Sequence, residues 1–114
     1  MIDRAMASQD DFRRIALSFP GAEEKAHMGH PDFRVGGKIF ATLHGPASDA
    51  GAVMLLPEQQ ELAMDAEPEA FKPAAGAWGR NGSTLVTLDA VGDEWLERTL
   101  EWAWRKRAPA KLRS

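Results

Sequence analysis

The stretch that decides the fold is GHPDFRVGGKIFA, residues 29–41. Two short β-rich runs, Asp32–Val35 and Lys38–Leu43, lie on either side of Gly36-Gly37. Glycine tolerates the positive φ that tight two-residue turns require, so this spacing is a strong hairpin signal. The sequence therefore predicts two antiparallel strands joined at these glycines, inside a sheet.

The position of the turn also fixes the expected register. It pairs Val35 with Lys38 and Phe33 with Phe40. Phe33, Val35 and Phe40 then share one apolar face, with Lys38 at a basic tip that faces solvent. The residues expected on the opposite face are Arg34, Ile39, Ala41 and Leu43.

A second hairpin is predicted over Trp78–Leu88. Asn81-Gly82 is the strongest two-residue turn signal available and would pair Arg80 with Ser83. Trp78 then lies beside Arg80 at the mouth of the hairpin, which makes it a candidate contact residue.

Caps and helical periodicity define the other elements. A first amphipathic helix follows a capping box of Ser8 and Asp11 and ends at Pro20-Gly21. A second helix begins at Pro57, with Leu62 and either Ala63 or Met64 on its buried side. The remaining predicted elements are strands over Glu23–Met28 and Ala52–Leu56, an irregular segment over Ala66–Ala77 with a turn of helix near Glu69–Phe71, and a long helix from Asp93 to Arg107.

The long helix carries three of the four tryptophans. Trp95 and Trp102 fall on its apolar arc and are expected in the core, whereas Trp104 lies at the edge of the arc, partly exposed. Short turns between the strands predict a largely antiparallel sheet. We therefore expect an α+β two-layer sandwich with helices on one face, as a single domain over residues 1–114.

The charge is unevenly distributed. The chain has 14 basic and 17 acidic side chains, a net charge of −3. The last ten residues, 105–114, form a basic tail with five cations and no acid, which leaves −8 on residues 1–104. Nucleic-acid binders normally show a basic footprint, and here only the tail shows one.

The sequence contains few residues arranged for chemistry. Cysteine is absent, which excludes disulfides and thiolate catalysis. No nucleophile lies in a recognisable acid–base constellation, and no glycine-rich phosphate motif opens a helix. We expect no catalytic site, no cofactor, no membrane segment and a cytoplasmic location.

Three histidines are the only candidate metal ligands of the imidazole type. His27 and His30 would offer two ligands from one turn, and His44 would reach across the hairpin. The competing explanation is that His30 orders the turn while the others are surface residues. Because no carboxylate stands at ligand spacing, no metal site is assigned here.

The first block, from His30 to Ala41, closely resembles the signature of the MmcQ/YjbR family, small bacterial domains usually labelled DNA-binding. The likeness extends from about Asp11 to Leu112. The later matching blocks are F-x-P at 71–73, G-x-W-G at 76–79, G-x-T-x-V-x-L at 82–88, and A-W-R at 103–105 followed by Ala108-Pro109 and Leu112.

The resemblance implies a frataxin-like (CyaY-like) fold with two hairpins that form a double wing for DNA. On this sequence the wings would be Arg34–Lys38 and Trp78–Ser83. This chain is neutral over residues 73–77, where the family often has lysines, so few phosphate contacts and weak, salt-dependent binding are expected. The residues expected to contact nucleic acid are Arg34, Lys38, Lys72, Trp78, Arg80, Arg105 and Arg107.

Two alternatives to DNA binding stay open. A protein-interaction or regulatory module would show an exposed apolar patch, with Trp78 or Trp104, away from the basic groups. A metal or small-ligand binder would require at least two of His27, His30 and His44 to converge.

Overall fold

The computed structural model describes residues 7–44 and 49–113. Within these residues the chain forms five helices and six strands. In chain order they are α1 Gln9–Leu17, β1 Glu23–His27, β2 His30–Val35, β3 Lys38–Leu43, β4 Ala50–Met54, α2 Pro57–Ala66, β5 Phe71–Pro73, α3 Gly76–Arg80, β6 Ser83–Thr87, α4 Asp93–Arg107 and α5 Ala110–Arg113.

The six strands form one sheet in the order β1-β2-β3-β4-β6-β5. Every neighbouring pair is antiparallel. Short turns connect the first strands, as the sequence predicted, while β4, β5 and β6 are separated in sequence by helices. The predicted antiparallel α+β fold is confirmed.

The helices form the second layer of the sandwich. The long helix α4 packs on β3 and β4, and α1 and α2 pack beside it. The predicted capping box holds the start of α1, because the Asp11 amide donates to Ser8 Oγ (3.2 Å) and the Ser8 amide donates to Asp11 Oδ2 (3.0 Å). The core between the layers is filled by large buried side chains, including Phe12, Phe33, Phe40, Leu43, Leu55, Leu88, Leu96 and Leu100.

The first hairpin forms at Gly36-Gly37, but its predicted register is wrong beyond the turn. Val35 pairs with Lys38 as expected, whereas Phe33 pairs with Ala41 instead of Phe40. The extra residue in β3 is a β-bulge, which turns both Phe40 and Ala41 toward the core. Ala41 and Leu43 are therefore buried on the helix side, and burial of more apolar surface explains the change of face.

The predicted second hairpin is wrong. Residues around Trp78 form the short helix α3, and Asn81-Gly82 joins this helix to β6. The partner of β6 is β5, in a segment that was expected to be irregular: Phe71 pairs with Val86. The predicted helical turn near Glu69–Phe71 is instead a tight turn that leads into β5.

The predicted burial of four side chains also differs from that in the structure. Leu62 is 53% exposed, whereas α2 buries Ala63, one of the expected alternatives, and Gln60, which was not expected. Trp104 is buried at 4% exposure: its ring stacks on Phe19, and its indole N–H donates to the carbonyl of Pro20 (2.9 Å). Trp95 and Trp102, expected in the core, are partly buried and pack edge to face.

The sheet has a second face, which points away from α4. One cross-strand row on this face runs from Asp32 through Thr42, Ala52 and Leu85 to Lys72. Across residues 7–44 and 49–113, no helix combines the length and the apolar character needed to cross a bilayer.

Candidate nucleic-acid interface

The last turn of α4 lies over the ends of two neighbouring strands. Lys106 Nζ donates a hydrogen bond to the carbonyl of Leu55 (3.0 Å), just after β4. Arg107 Nε donates to the carbonyl of Ile39 (3.2 Å), near the start of β3. Cations in the last turn also complement the negative end of the helix dipole. Two adjacent cations are therefore fixed at one end of the sheet.

These two cations line an open cavity of about 220 Å³ together with Trp78. The indole of Trp78 is 75% exposed, a large value for an aromatic side chain. Its position depends on α3, which is tied to α2 because Gln60 Nε2 donates to the carbonyl of Gly79 (3.1 Å). The other residues that line the cavity are Met54, Asn81 and Ser83.

The electrostatics of this cavity favour an anion. Burial lowers the pKa of the Lys106 ammonium, and the neighbouring charge of Arg107 lowers it further. A bound anion opposes both causes, because it solvates the ammonium and offsets the repulsion. An aromatic face beside two cations is the arrangement that holds a stacked base and its phosphate.

Lys38 is exposed at the start of β3, on the first hairpin. It follows the turn glycines and precedes Ile39, whose carbonyl accepts the bond from Arg107. The tip of the hairpin does not stand free, because Gly36 lies against the ring of Pro109 after α4. The predicted first wing is thus packed against the C-terminal segment.

The structure separates the predicted contact residues into groups. Trp78 and Arg107 share the cavity, whereas Lys38 is exposed on the first hairpin and is not part of the lining. Arg34 is engaged elsewhere, since its guanidinium donates to both carboxylate oxygens of Asp32 (2.7 and 3.0 Å). The others lie outside the lining of the cavity: Arg80 is exposed at the end of α3, Lys72 is exposed on the edge strand β5, and Arg105 pairs with Glu101 at 3.2 Å.

The sequence reasoning missed Lys106 as an individual site residue. It lies four residues after Trp102 and seven after Thr99, so it continues the side of α4 that faces the sheet. A cation at the sheet-facing end of an amphipathic helix can extend its charged end to strand carbonyls. The helical spacing of Lys106 from Trp102 and Thr99 was therefore the sequence signal that could have identified it.

A separate cluster contains all three histidines of the chain. The ring centroids of His27 and His30 are 6.4 Å apart, and those of His30 and His44 are also 6.4 Å apart. His27 Nδ1 lies 2.7 Å from Oδ2 of Asp32, which is fully buried. The Arg34 guanidinium, with a smaller effect of His27, lowers the pKa of the Asp32 carboxyl despite its burial. Burial and the charge of His30 lower the pKa of His44.

Comparison with known proteins gives both a fold and a family. Among solved structures, the chain is similar to that of Deinococcus radiodurans protein DR2400, described with a family-model domain DUF419. The TM-score is 0.75 at 22% identity, over 95% of this chain and 86% of the other, which supports the same fold. No curated protein matches the chain significantly. The frataxin-like detail of the fold stays a prediction.

The family model named YjbR matches residues 17–106, which include the first hairpin and nearly all of α4. Neither this description nor that of the structural neighbour names an enzymatic activity. With the matched range covering most of the chain, this protein belongs to the YjbR family.

Proposed function

We propose that this domain binds nucleic acid weakly through one basic surface at the C-terminal end of α4. The observation that carries the proposal is the cavity where an exposed Trp78 lies beside Lys106 and Arg107. Phosphates would contact Lys38, Lys106 and Arg107, and a base would stack on the indole. In this proposal one surface takes the place of the two separate wings that the family resemblance implied.

The location of Trp78 favours nucleic acid over a protein partner. A partner module was expected to show an exposed tryptophan away from the basic groups, but Trp78 lines the same cavity as two cations. Trp104, the other candidate, is buried. Both findings support recognition of an anion with an aromatic or planar group.

An exposed indole also predicts which form of DNA binds better. Stacking on Trp78 needs an unpaired base, because the faces of paired bases are covered by their neighbours in a duplex. Stacking is worth about 1–3 kcal/mol per base. We therefore expect a single strand to bind about tenfold or more tighter than a duplex, with Trp78→Ala removing most of the difference.

The test is fluorescence anisotropy of a labelled single-stranded 20-mer and the matching duplex, in 50 and 200 mM salt. Three phosphate contacts imply a log–log salt slope of about −2 for the single strand, from about −0.7 per contact. We expect the double variant Lys106→Gln/Arg107→Gln to weaken binding by tenfold or more. Its salt slope should fall to the value for about one remaining phosphate contact.

A matched control removes the same charge from the same helix. Arg98 and Arg105 each pair with a glutamate four residues earlier, and neither lines the cavity. We expect Arg98→Gln/Arg105→Gln to bind nearly as wild type. Equal weakening in both double variants would indicate a non-specific charge effect, and no binding in 50 mM salt would contradict the proposal.

A further inference from the structure

Two histidines lie opposite each other at the end of the sheet that is away from Trp78. Asp32 pairs with Thr42, so continuing the antiparallel ladder by two residues brings His44 opposite His30. The amide of His44 donates to the carbonyl of Ala50 (3.1 Å), which ties the end of β3 to β4. Strand pairing therefore fixes the backbone positions of both histidines.

These side chains line an open depression of about 380 Å³. Besides His30 and His44, its lining contains His27, Thr42 and Leu43. Thr42 precedes His44 by two residues, so their side chains lie on the same side of the strand. The depression thus places imidazole rings and a hydroxyl on one face, and all of these groups can donate hydrogen bonds.

The spacing of the rings suits a ligand larger than a single ion. The ring centroids of His30 and His44 are 6.4 Å apart, and the rings are inclined at 70°. A tetrahedral oxoanion between them can accept a hydrogen bond of about 2.8 Å from each ring, because its oxygens point in different directions. Among the described residues, no three His, Cys, Asp or Glu side chains are placed so that they could hold a metal ion.

The buried acid beside the depression is already neutralised. Both carboxylate oxygens of Asp32 accept hydrogen bonds from Arg34 (2.7 and 3.0 Å), and Oδ2 lies 2.7 Å from Nδ1 of His27. Lys25 of β1 pairs with Asp32 and adds an exposed cation to the same face. Glu23 pairs with Arg34, farther along the strands from the histidines.

The other acids near this end of the sheet are engaged with each other. Asp49 precedes Ala50, and its carboxyl forms a hydrogen bond with that of Asp89, which raises the pKa of Asp89. Neither residue is part of the lining of the depression. The groups that do face the depression are therefore hydrogen-bond donors or apolar.

The electrostatics of the two rings favour an anion. Burial lowers the pKa of the His44 imidazole, and the neighbouring charge of His30 lowers it further. An anion between the rings opposes both causes, because it accepts a hydrogen bond from the imidazolium and offsets the repulsion. An unperturbed imidazole titrates at about pH 6.5, so binding is expected to strengthen as the pH falls from 8 to 6.

We propose that His30, His44 and Thr42 bind a small tetrahedral oxoanion, a phosphate or sulfate group, in this depression. His27 adds positive charge from the neighbouring strand when it is protonated, and its Nδ1 keeps the interaction with Asp32. The site is at the opposite end of β3 from the cavity of Trp78, so it is independent of the nucleic-acid proposal.

The test is an NMR titration of the tag-free chain with sodium sulfate at constant ionic strength, followed through the histidine ring signals. Sulfate keeps its charge between pH 6 and pH 8, so a change in affinity over this range reports protonation of the protein. We expect saturable shifts of the His30 and His44 signals, and binding about tenfold tighter at pH 6 than at pH 8. Bound sulfate should also raise the pKa of His44, which a merely structural role of the ring would not produce.

Substitutions test the individual contacts. We expect His30→Gln and His44→Gln each to weaken sulfate binding at pH 6 about tenfold, because each removes a charge-assisted hydrogen bond. Thr42→Val keeps the shape of the side chain without its hydroxyl and should weaken binding about threefold. Lys25→Gln is the matched control, because it removes a cation from the same sheet face but not from the lining. It should bind within about twofold of the wild type.

Two further ligands distinguish the sources of the oxoanion. Tighter binding of inorganic phosphate than of glycerol phosphate would assign the site to the free ion, and the reverse order would assign it to the end group of a larger molecule. Trp78→Ala should leave sulfate binding unchanged, so failure of the nucleic-acid proposal would be seen separately. No saturable shift in about 50 mM sulfate at pH 6, equal weakening in Lys25→Gln and His44→Gln, or no tightening toward pH 6 would each overturn the proposal.

Discussion

Two turns with the same sequence signal form different structures in this domain. Gly36 and Gly37 take positive φ (60° and 79°) and join β2 directly to β3. Gly82 also takes positive φ (110°), yet Asn81-Gly82 ends α3 and leads into β6. The glycine signal therefore reports the backbone conformation of the turn, while more distant contacts decide which elements flank it.

The distant contacts around the second turn are visible in the side chain of Gln60. Its amide nitrogen donates to the carbonyls of Gly79 and Ser83 and to Thr84 Oγ1, at 3.0–3.1 Å. One buried side chain of α2 thus joins the end of α3 to the start of β6. Nothing comparable is needed at the first turn, where the two strands pair with each other.

The largest expected effect is at Gly82. A β-carbon there would collide with the carbonyl of Leu55, whose own amide donates back to the Gly82 carbonyl at 3.1 Å. This collision could be relieved only if β4 and β6 moved apart. We expect Gly82→Ala to lower the free energy of unfolding by at least about 3 kcal/mol, measured by urea denaturation.

The matched control for Gly82→Ala is Gly37→Ala, which also places a β-carbon at positive φ but meets open space. If the two variants lose equal stability, only backbone strain is involved, and the close approach of Gly82 to β4 is not important in solution.

The sequence predicted elements that depend on local signals. The capping box of α1, Pro57 at the start of α2, and the span of α4 were all confirmed. It failed where stability comes from non-local contacts. Strand β5 is three residues long and ends in Pro73, so pairing with β6, not propensity, defines it.

The candidate site was predictable only in part for the same reason. Trp78 and Arg107 were named from the sequence, but their shared cavity exists because α4 ends over β4 and α3 replaces the second hairpin. Arg34 appeared as a wing residue because its partner could not be identified from the sequence. Its buried partner Asp32 is two residues earlier on the same strand, and only the structure shows that the carboxylate is enclosed.

A second, smaller effect concerns the charge pair of Asp32 and Arg34 within β2. Asp32→Asn removes the carboxylate that accepts two hydrogen bonds from Arg34. Hydrogen bonds to charged groups contribute about 1.5–3 kcal/mol, so we expect a loss of about 2 kcal/mol at pH 7. The measurement is urea denaturation of the wild type and the variant.

The same pair predicts a pH dependence. Because Arg34 lowers the pKa of Asp32 in the folded protein, the unfolded chain binds this proton more tightly. The stabilisation is complete above the unfolded pKa of about 4 and is lost as the pH falls through the lower folded pKa. The gap between wild type and Asp32→Asn should therefore narrow from pH 5 to pH 2. A constant gap would mean that the carboxylate charge is not the cause.

The smallest expected effect compares the two residues of the first turn. In both alanine variants, holding a residue with a β-carbon at positive φ costs about 1–2 kcal/mol of stability. A β-carbon at Gly36 would in addition meet Pro109 at 3.2 Å, whereas one at Gly37 meets nothing within 4 Å. We expect Gly36→Ala to be the less stable variant by several tenths of a kcal/mol, and this difference to disappear in a Pro109→Ala background. Equal stabilities in the wild-type background would instead indicate that the hairpin tip moves independently of the C-terminal segment, as a free wing would.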